Sequence, residues 1–183
     1  MKKMIAMAAV VLLAGGATTQ SHSGGVTRYS LLMEPSAFAA QAASDRAGQE
    51  AMAQLALTRA KSHKVQEFSK QLLDRDAADD QLLKALAQQH GIAFPAPVSE
   101  ANQYRLDALG KVAHGEFDRI YMDTMVDMLR DTNRVYTAAS RASSPEVAGY
   151  AKQAVGSINA QLNQAQRIDI AVGGGLGPVS GYN

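Results

Sequence analysis

Between residues 35 and 170, apolar side chains recur every three or four positions, and no segment sustains the two-residue alternation of a half-buried strand. The pattern predicts an all-α chain. Pro35 and Ser36 open a first helix, because the fixed φ of proline suits a first turn, and the periodicity carries on to about Ala60. A second helix follows Ser62, a candidate N-cap, and stops before Gly91, which tolerates the left-handed conformation of a helix end; Pro95 and Pro97 prevent continuation. A shorter helix spans about Ser99 to Ala113, and a fourth runs from about Glu116 to Ala142. The fifth opens on "SSPEV" and ends near Ile170: Ser144 caps, Pro145 takes the first position, and Glu146 faces the positive end of the helix dipole. Tight turns at 61–62 and 143–144 pair the four long helices into two antiparallel hairpins, with the segment 91–114 crossing between them. Hairpins of this kind bury their apolar faces by packing as a four-helix bundle.

Polar residues interrupt the apolar stripes. At about 100° per residue, Val65, Phe68, Leu72, Leu83 and Leu86 of the second helix share one arc, and Asp76 and Asp79 fall inside it, with Asp74 and Asp80 further out. Asp45 and Gln49 likewise share the arc of Phe38, Met52 and Ala56, and Gln161 shares that of Val147, Ala154, Ile158 and Ala165. In a hairpin turning at 61–62, position 76 lies opposite about position 47, so these interruptions are expected to meet as a mid-bundle polar layer of Gln49, Asp76 and Gln161. The fourth helix differs. Asp123, Asp127 and Asp131 project opposite Phe117, Tyr121, Met125, Met128 and Val135 and share their face with Arg119, Arg130 and Arg134, which predicts a solvated ion-pair strip. Asp118 turns toward the apolar side, in a first turn where capping is the expected role.

Composition adds an address and removes several chemistries. The start "MKKMIAMAAVVLLA" joins Lys2 and Lys3 to an apolar run too short to span a bilayer comfortably, the pattern of a secretory signal peptide; cleavage after Gly16 or Ala17 fits the small-residue preference, with sites up to about Gly24 open. An uncleaved anchor is the alternative. The expected division is a leader over 1–17, a flexible lead-in over 18–34, a helical domain over 35–170 and a Gly-rich tail over 171–183. Periplasm or cell envelope is then the expected location, without stable membrane insertion after cleavage. The absence of cysteine rules out disulfides, thiolate nucleophiles and lipid attachment at a cleavage-site Cys. Once Lys2 and Lys3 are removed with the leader, the chain is close to neutral, which argues against a nucleic-acid partner and leaves a protein partner open. Gly173, Gly174 and Gly175 follow a helix and precede the chain end, the wrong context for a phosphate loop. No nucleophile elbow is present either, so no enzyme is expected.

A carboxylate in a dry core must meet water, a cation or a donor, or hold a proton. Three readings of the layer stay open. It is a closed structural layer with no cofactor; or Asp45, Asp76 and Asp79 hold a divalent cation through oxygen alone; or the second helix is rotated outward, with Asp79 paired to Arg75. The Glu-x-x-His pair of di-iron bundles is missing, and His22, His63, His90 and His114 fall in the lead-in or at helix ends.

The segments "AAQAASDRAGQEAMAQLALTRAKSHKVQEFSKQLLDRDAADDQLLKALAQQHGIAFP", "FDRIYMDTMVDM" and "SPEVAGYAKQAVGSINAQL" resemble, in order and spacing, the exported bacterial domain-of-unknown-function 4142 family. The resemblance covers about residues 36 to 168 and implies a ferritin-like fold and an exported address. It also implies that histidines of the family correspond to Asp76, Leu129 and Gln161 here, and a glutamate to Gln49. Those departures speak against a metal role in this chain. The expected function is therefore a non-enzymatic interaction or stress-related module of the envelope, with a divalent-metal or redox protein as the alternative.

Overall fold

The computed structural model describes residues 34–74, 77–141 and 144–175. The expected leader, most of the lead-in, the end of the tail, His22, Arg75, Asp76 and part of the 143–144 turn lie outside the described residues. The described residues form six helices: α1 (Pro35–Arg59), α2 (His63–Leu73), α3 (Ala77–Gln89), α4 (Glu100–Lys111), α5 (Phe117–Ala139) and α6 (Pro145–Ala171). The described residues contain no strand, and the chain is all-α. None of these helices is long and apolar enough to cross a membrane.

Most helix ends follow the local rules. Pro35 and Pro145 occupy first turns, and the Ser144 hydroxyl accepts the Val147 amide. Gly91 takes φ 69° just past α3. Ser99 caps α4 by accepting the Asn102 amide at 3.2 Å. Two expectations fail at the second helix. Where one continuous helix is predicted there are two, α2 closing on Asp74 and α3 opening at Ala77, with 75–76 outside the described residues. Ser62 occupies the N-cap of α2 without using its side chain; Asp118 of α5 instead accepts the amides of Lys61 and Ser62, the latter at 2.8 Å. The carboxylate thus caps a helix distant in sequence as well as lying in the first turn of its own.

Two apolar clusters show how the helices run. One joins Met52 and Ala56 late in α1, Phe68 and Leu72 of α2, Phe117 and Tyr121 at the start of α5, and Ile168 near the end of α6. The other joins Phe38 and Ala42 early in α1, Leu83 and Leu86 of α3, Tyr136 and Ala139 at the end of α5, and Val147 and Ala151 at the start of α6. The start of α5 therefore meets the end of α6, and α1 runs opposite to α2 and α3. In the first cluster the Ser69 hydroxyl is 2.8 Å from the Val65 carbonyl and 2.9 Å from the Tyr121 hydroxyl. One proton cannot serve both, so Ser69 donates to Val65 and Tyr121 donates to Ser69. Burial raises the Tyr121 phenol well above its ordinary value, which keeps that proton in place. In the second cluster Phe38 packs on Tyr136 and Tyr150, with ring centroids 5.1 and 6.1 Å away.

Candidate functional site

The two clusters stop short of each other, and the gap is polar. In α1 the apolar run breaks between Ala42 and Met52, in α2 and α3 between Leu72 and Leu83, in α5 between Leu129 and Tyr136, and in α6 between Ile158 and Ala165. Within those intervals lie Asp45, Arg46, Gln49, Asp79, Asp80 and Thr132, which together with Ser157, one residue before Ile158, line a partly open cavity of about 30 Å³. A space of that size admits one water-sized group. Of the three residues expected to form the polar layer, Gln49 is buried and lines this cavity, while Asp76 lies outside the described residues. Gln161 is half-buried one turn further along α6, beside a separate surface pocket that Asp79 and Ser157 also line.

The dominant charge is one that periodicity does not single out. Arg46 is 5% exposed, and its guanidinium meets three partners. Nη1 donates to the Leu72 carbonyl at 2.9 Å, and Nη2 to Asp80 Oδ2 at 3.0 Å. Nε lies 2.8 Å from Glu50 Oε1, as an ion contact without hydrogen-bond alignment. The last four carbonyls of a helix have no partner within it, and Leu72 is buried, so Arg46 meets a need that the end of α2 creates.

Asp45 and Asp79 take separate partners. Asp45 Oδ1 accepts from Gln41 at 2.9 Å and from Asn102 of α4 at 3.2 Å. Burial raises its pKa from the ordinary value; the Gln41 and Asn102 bonds and the Arg105 charge act in the opposite sense, while Asp131 adds to the rise. Asn102 is itself buried and accepts from Arg105 at 2.7 Å, so α4 closes the side of the layer as well as linking the hairpins. The approach is close: a Cβ on Gly48 would lie 2.7 Å from Asn102 Nδ2. Asp79 Oδ2 lies 3.3 Å from the Ser157 hydroxyl of α6, whose single proton is shared between this carboxylate and the Ala154 carbonyl at 3.1 Å. Among the described residues no three His, Asp or Glu side chains gather as a metal ion would need. Asp76, the third oxygen ligand of the cation reading, lies outside them.

A family model for Domain of unknown function (DUF4142) matches residues 18–168. The chain belongs to that family. No curated protein and no solved structure matches it. The DUF4142 resemblance set family histidines against Asp76, Leu129 and Gln161 and a glutamate against Gln49. Of the described members of this set, Gln49 on α1 lines the cavity, and Gln161 on α6 lines the neighbouring surface pocket. Leu129 is fully buried and belongs to the apolar cluster.

Two acidic residues depart from the helical-wheel reading. Asp80, placed further out by the wheel, pairs with buried Arg46. Asp127 and Asp131 do form the expected strip, 64% and 57% exposed and paired with Arg130 and Arg134. Asp123 leaves it. Though bound to Arg119 at 3.1 Å, Asp123 is only 17% exposed and faces Asp169 of α6. The α5 face is thus mixed, because its first half is covered by the end of α6. Of the histidines, His63 is exposed, while His90 is largely covered and lies 3.7 Å from Glu146. A signal for Arg46 was present in its position next to Asp45. Asn102 carried none, because α4 meets α1 only in the folded chain.

Proposed function

We propose that this DUF4142 protein is a non-enzymatic, exported helical bundle of the cell envelope, ferritin-like in its arrangement, whose mid-bundle layer is architectural and whose role is an interaction or stress-related one. The observation that carries this reading is Arg46. A buried guanidinium between Asp80, Glu50 and the Leu72 carbonyl supplies from within the chain the positive charge that the layer's carboxylates call for. The Lys2–Lys3 leader pattern supports the exported address. The second reading, a divalent-metal or redox protein using Asp45, Asp76 and Asp79, is favoured by one fact, that Asp45 and Asp79 line the same cavity.

Metal analysis and thermal melting separate the two. Anything that binds only the folded state raises its melting temperature by mass action. The architectural reading expects metal-free protein from the envelope fraction and no shift of the melting curve with magnesium, calcium, manganese or ferrous ion. A shift in wild type that disappears in the double variant Asp45→Asn, Asp79→Asn establishes the metal reading instead. The exported address is checked by mass spectrometry of the native protein, which should show an N-terminus between about residues 17 and 25; an intact Met1 refutes it.

A further inference from the structure

Away from the layer, where α5 begins and α6 ends, Asp123 and Asp169 face each other. Asp169 is 4% exposed, and its Oδ1 has no donor although the Asp123 carboxyl lies within hydrogen-bonding reach. Asp123 spends Oδ2 on Arg119 at 3.1 Å. Two carboxylates so placed cannot both ionise without cost, because their like charges repel where little water screens them. One proton between them makes an acid-to-carboxylate hydrogen bond and leaves a single negative charge for Arg119.

The backbone beyond α6 closes on this pair. The Val172 amide donates to the carbonyls of Ile168 and Asp169, that of Gly173 to Ile170 at 3.2 Å, and that of Gly174 to Asp169 at 2.8 Å. Gly173 and Gly175 take φ of 88° and 81°, where residues with side chains are strained. A Cβ on Gly174 would lie 1.9 Å from Asp169 Oδ1 and 2.9 Å from Asp123 Oδ1. Only a residue without a side chain lets the main chain lie on the two acids.

We propose that Asp123 and Asp169 share one proton, and that this proton latches the 173–175 turn onto the end of α6, so that the turn loosens as the surroundings become less acidic. Burial opposes ionisation of Asp169 most, Asp123 and Asp127 of α5 oppose it further, and Arg119, itself shared with Glu116, favours it. Together they push Asp169 up to about 6 from 3.8. A carboxyl whose pKa is higher in the closed state stabilises that state fully below its ordinary pKa. The contribution is lost as pH rises through the upper value and is level above it. The latch is thus strong near pH 4 and spent above about 6.

Amide hydrogen exchange at Val172, Gly173 and Gly174, corrected for the intrinsic pH dependence of exchange, reads the latch directly. In wild type, protection is expected to fall by roughly tenfold per pH unit between about 4 and 6 and then to level off. Asp123→Asn and Asp169→Asn should each flatten that dependence, since an amide carries a permanent donor; either variant suffices if the other fails to fold. The carboxyl carbon of Asp169 should titrate near 6 in wild type and at lower pH in Asp123→Asn. Protection independent of pH in wild type, or an ordinary titration of Asp169, overturns the proposal. Millimolar calcium chloride at pH 8 is the remaining arm: protection restored in wild type and not in Asp169→Asn makes the bound species a metal ion, and the proton latch falls.

Discussion

Replacing Arg46 by Met tests the layer at its centre. The substitution keeps an unbranched aliphatic stem in the core and deletes the guanidinium. The largest consequence falls on the Leu72 carbonyl, which loses its donor at a buried helix end; an unsatisfied buried acceptor costs about 1 to 3 kcal/mol. Asp80 and Glu50 lose an ion partner, but at 35% and 34% exposure both can return to water, so each adds only about 0 to 1 kcal/mol. The expected loss is about 2 to 4 kcal/mol, smaller than for a pair sealed on both sides. At roughly 2 to 4 °C per kcal/mol for a chain of this size, the melting temperature should drop by about 5 to 15 °C. Urea titration followed by far-ultraviolet circular dichroism measures the loss, with Arg46→Lys as the control. Lysine keeps the charge and surrenders the planar fork that reaches three partners at once, so it should fall between wild type and Arg46→Met. A loss below about 1 kcal/mol in Arg46→Met, or a Lys variant as unstable as Met, would refute the claim that Arg46 holds the layer together.

Other expectations concern contacts that only the folded chain makes. Gly48→Ala should destabilise by about 1 to 3 kcal/mol by chemical denaturation, although alanine is the better helix former, because its Cβ would meet Asn102; a stabilised variant would show that α4 can move aside. At the Tyr121–Ser69 pair an asymmetry is expected. Ser69→Ala strands a fully buried phenol and should cost more than Tyr121→Phe, which leaves Ser69 bonded to Val65; equal losses would count against the proton assignment. Asp127→Ala should shift the melting curve by less than about 1 kcal/mol, since its pairing with Arg130 is exposed; a loss above roughly 2 kcal/mol would mean that this face is covered.

The helix class, most of the helix ends and the inward facing of Gln49 follow from local chemistry, and local chemistry is written in the order of residues. Pro35, Ser144 and Gly91 act within one turn of themselves. The three-and-four spacing of Phe38, Met52 and Ala56 sets which way Gln49 must face, and the turn near 61–62 brings α1 alongside the helices that follow. What satisfies the layer is a different kind of fact. Arg46 reaches a carbonyl 26 residues away and a carboxylate 34 away, and Asn102 reaches Asp45 across 57. Such pairings depend on the axial register of helices that are not neighbours in sequence, which packing of the whole core sets to within a side-chain length. Asp123 shows the consequence most clearly. Its place on the α5 wheel is the same as that of Asp127, and only the end of α6 lying over it makes one acid buried and the other exposed.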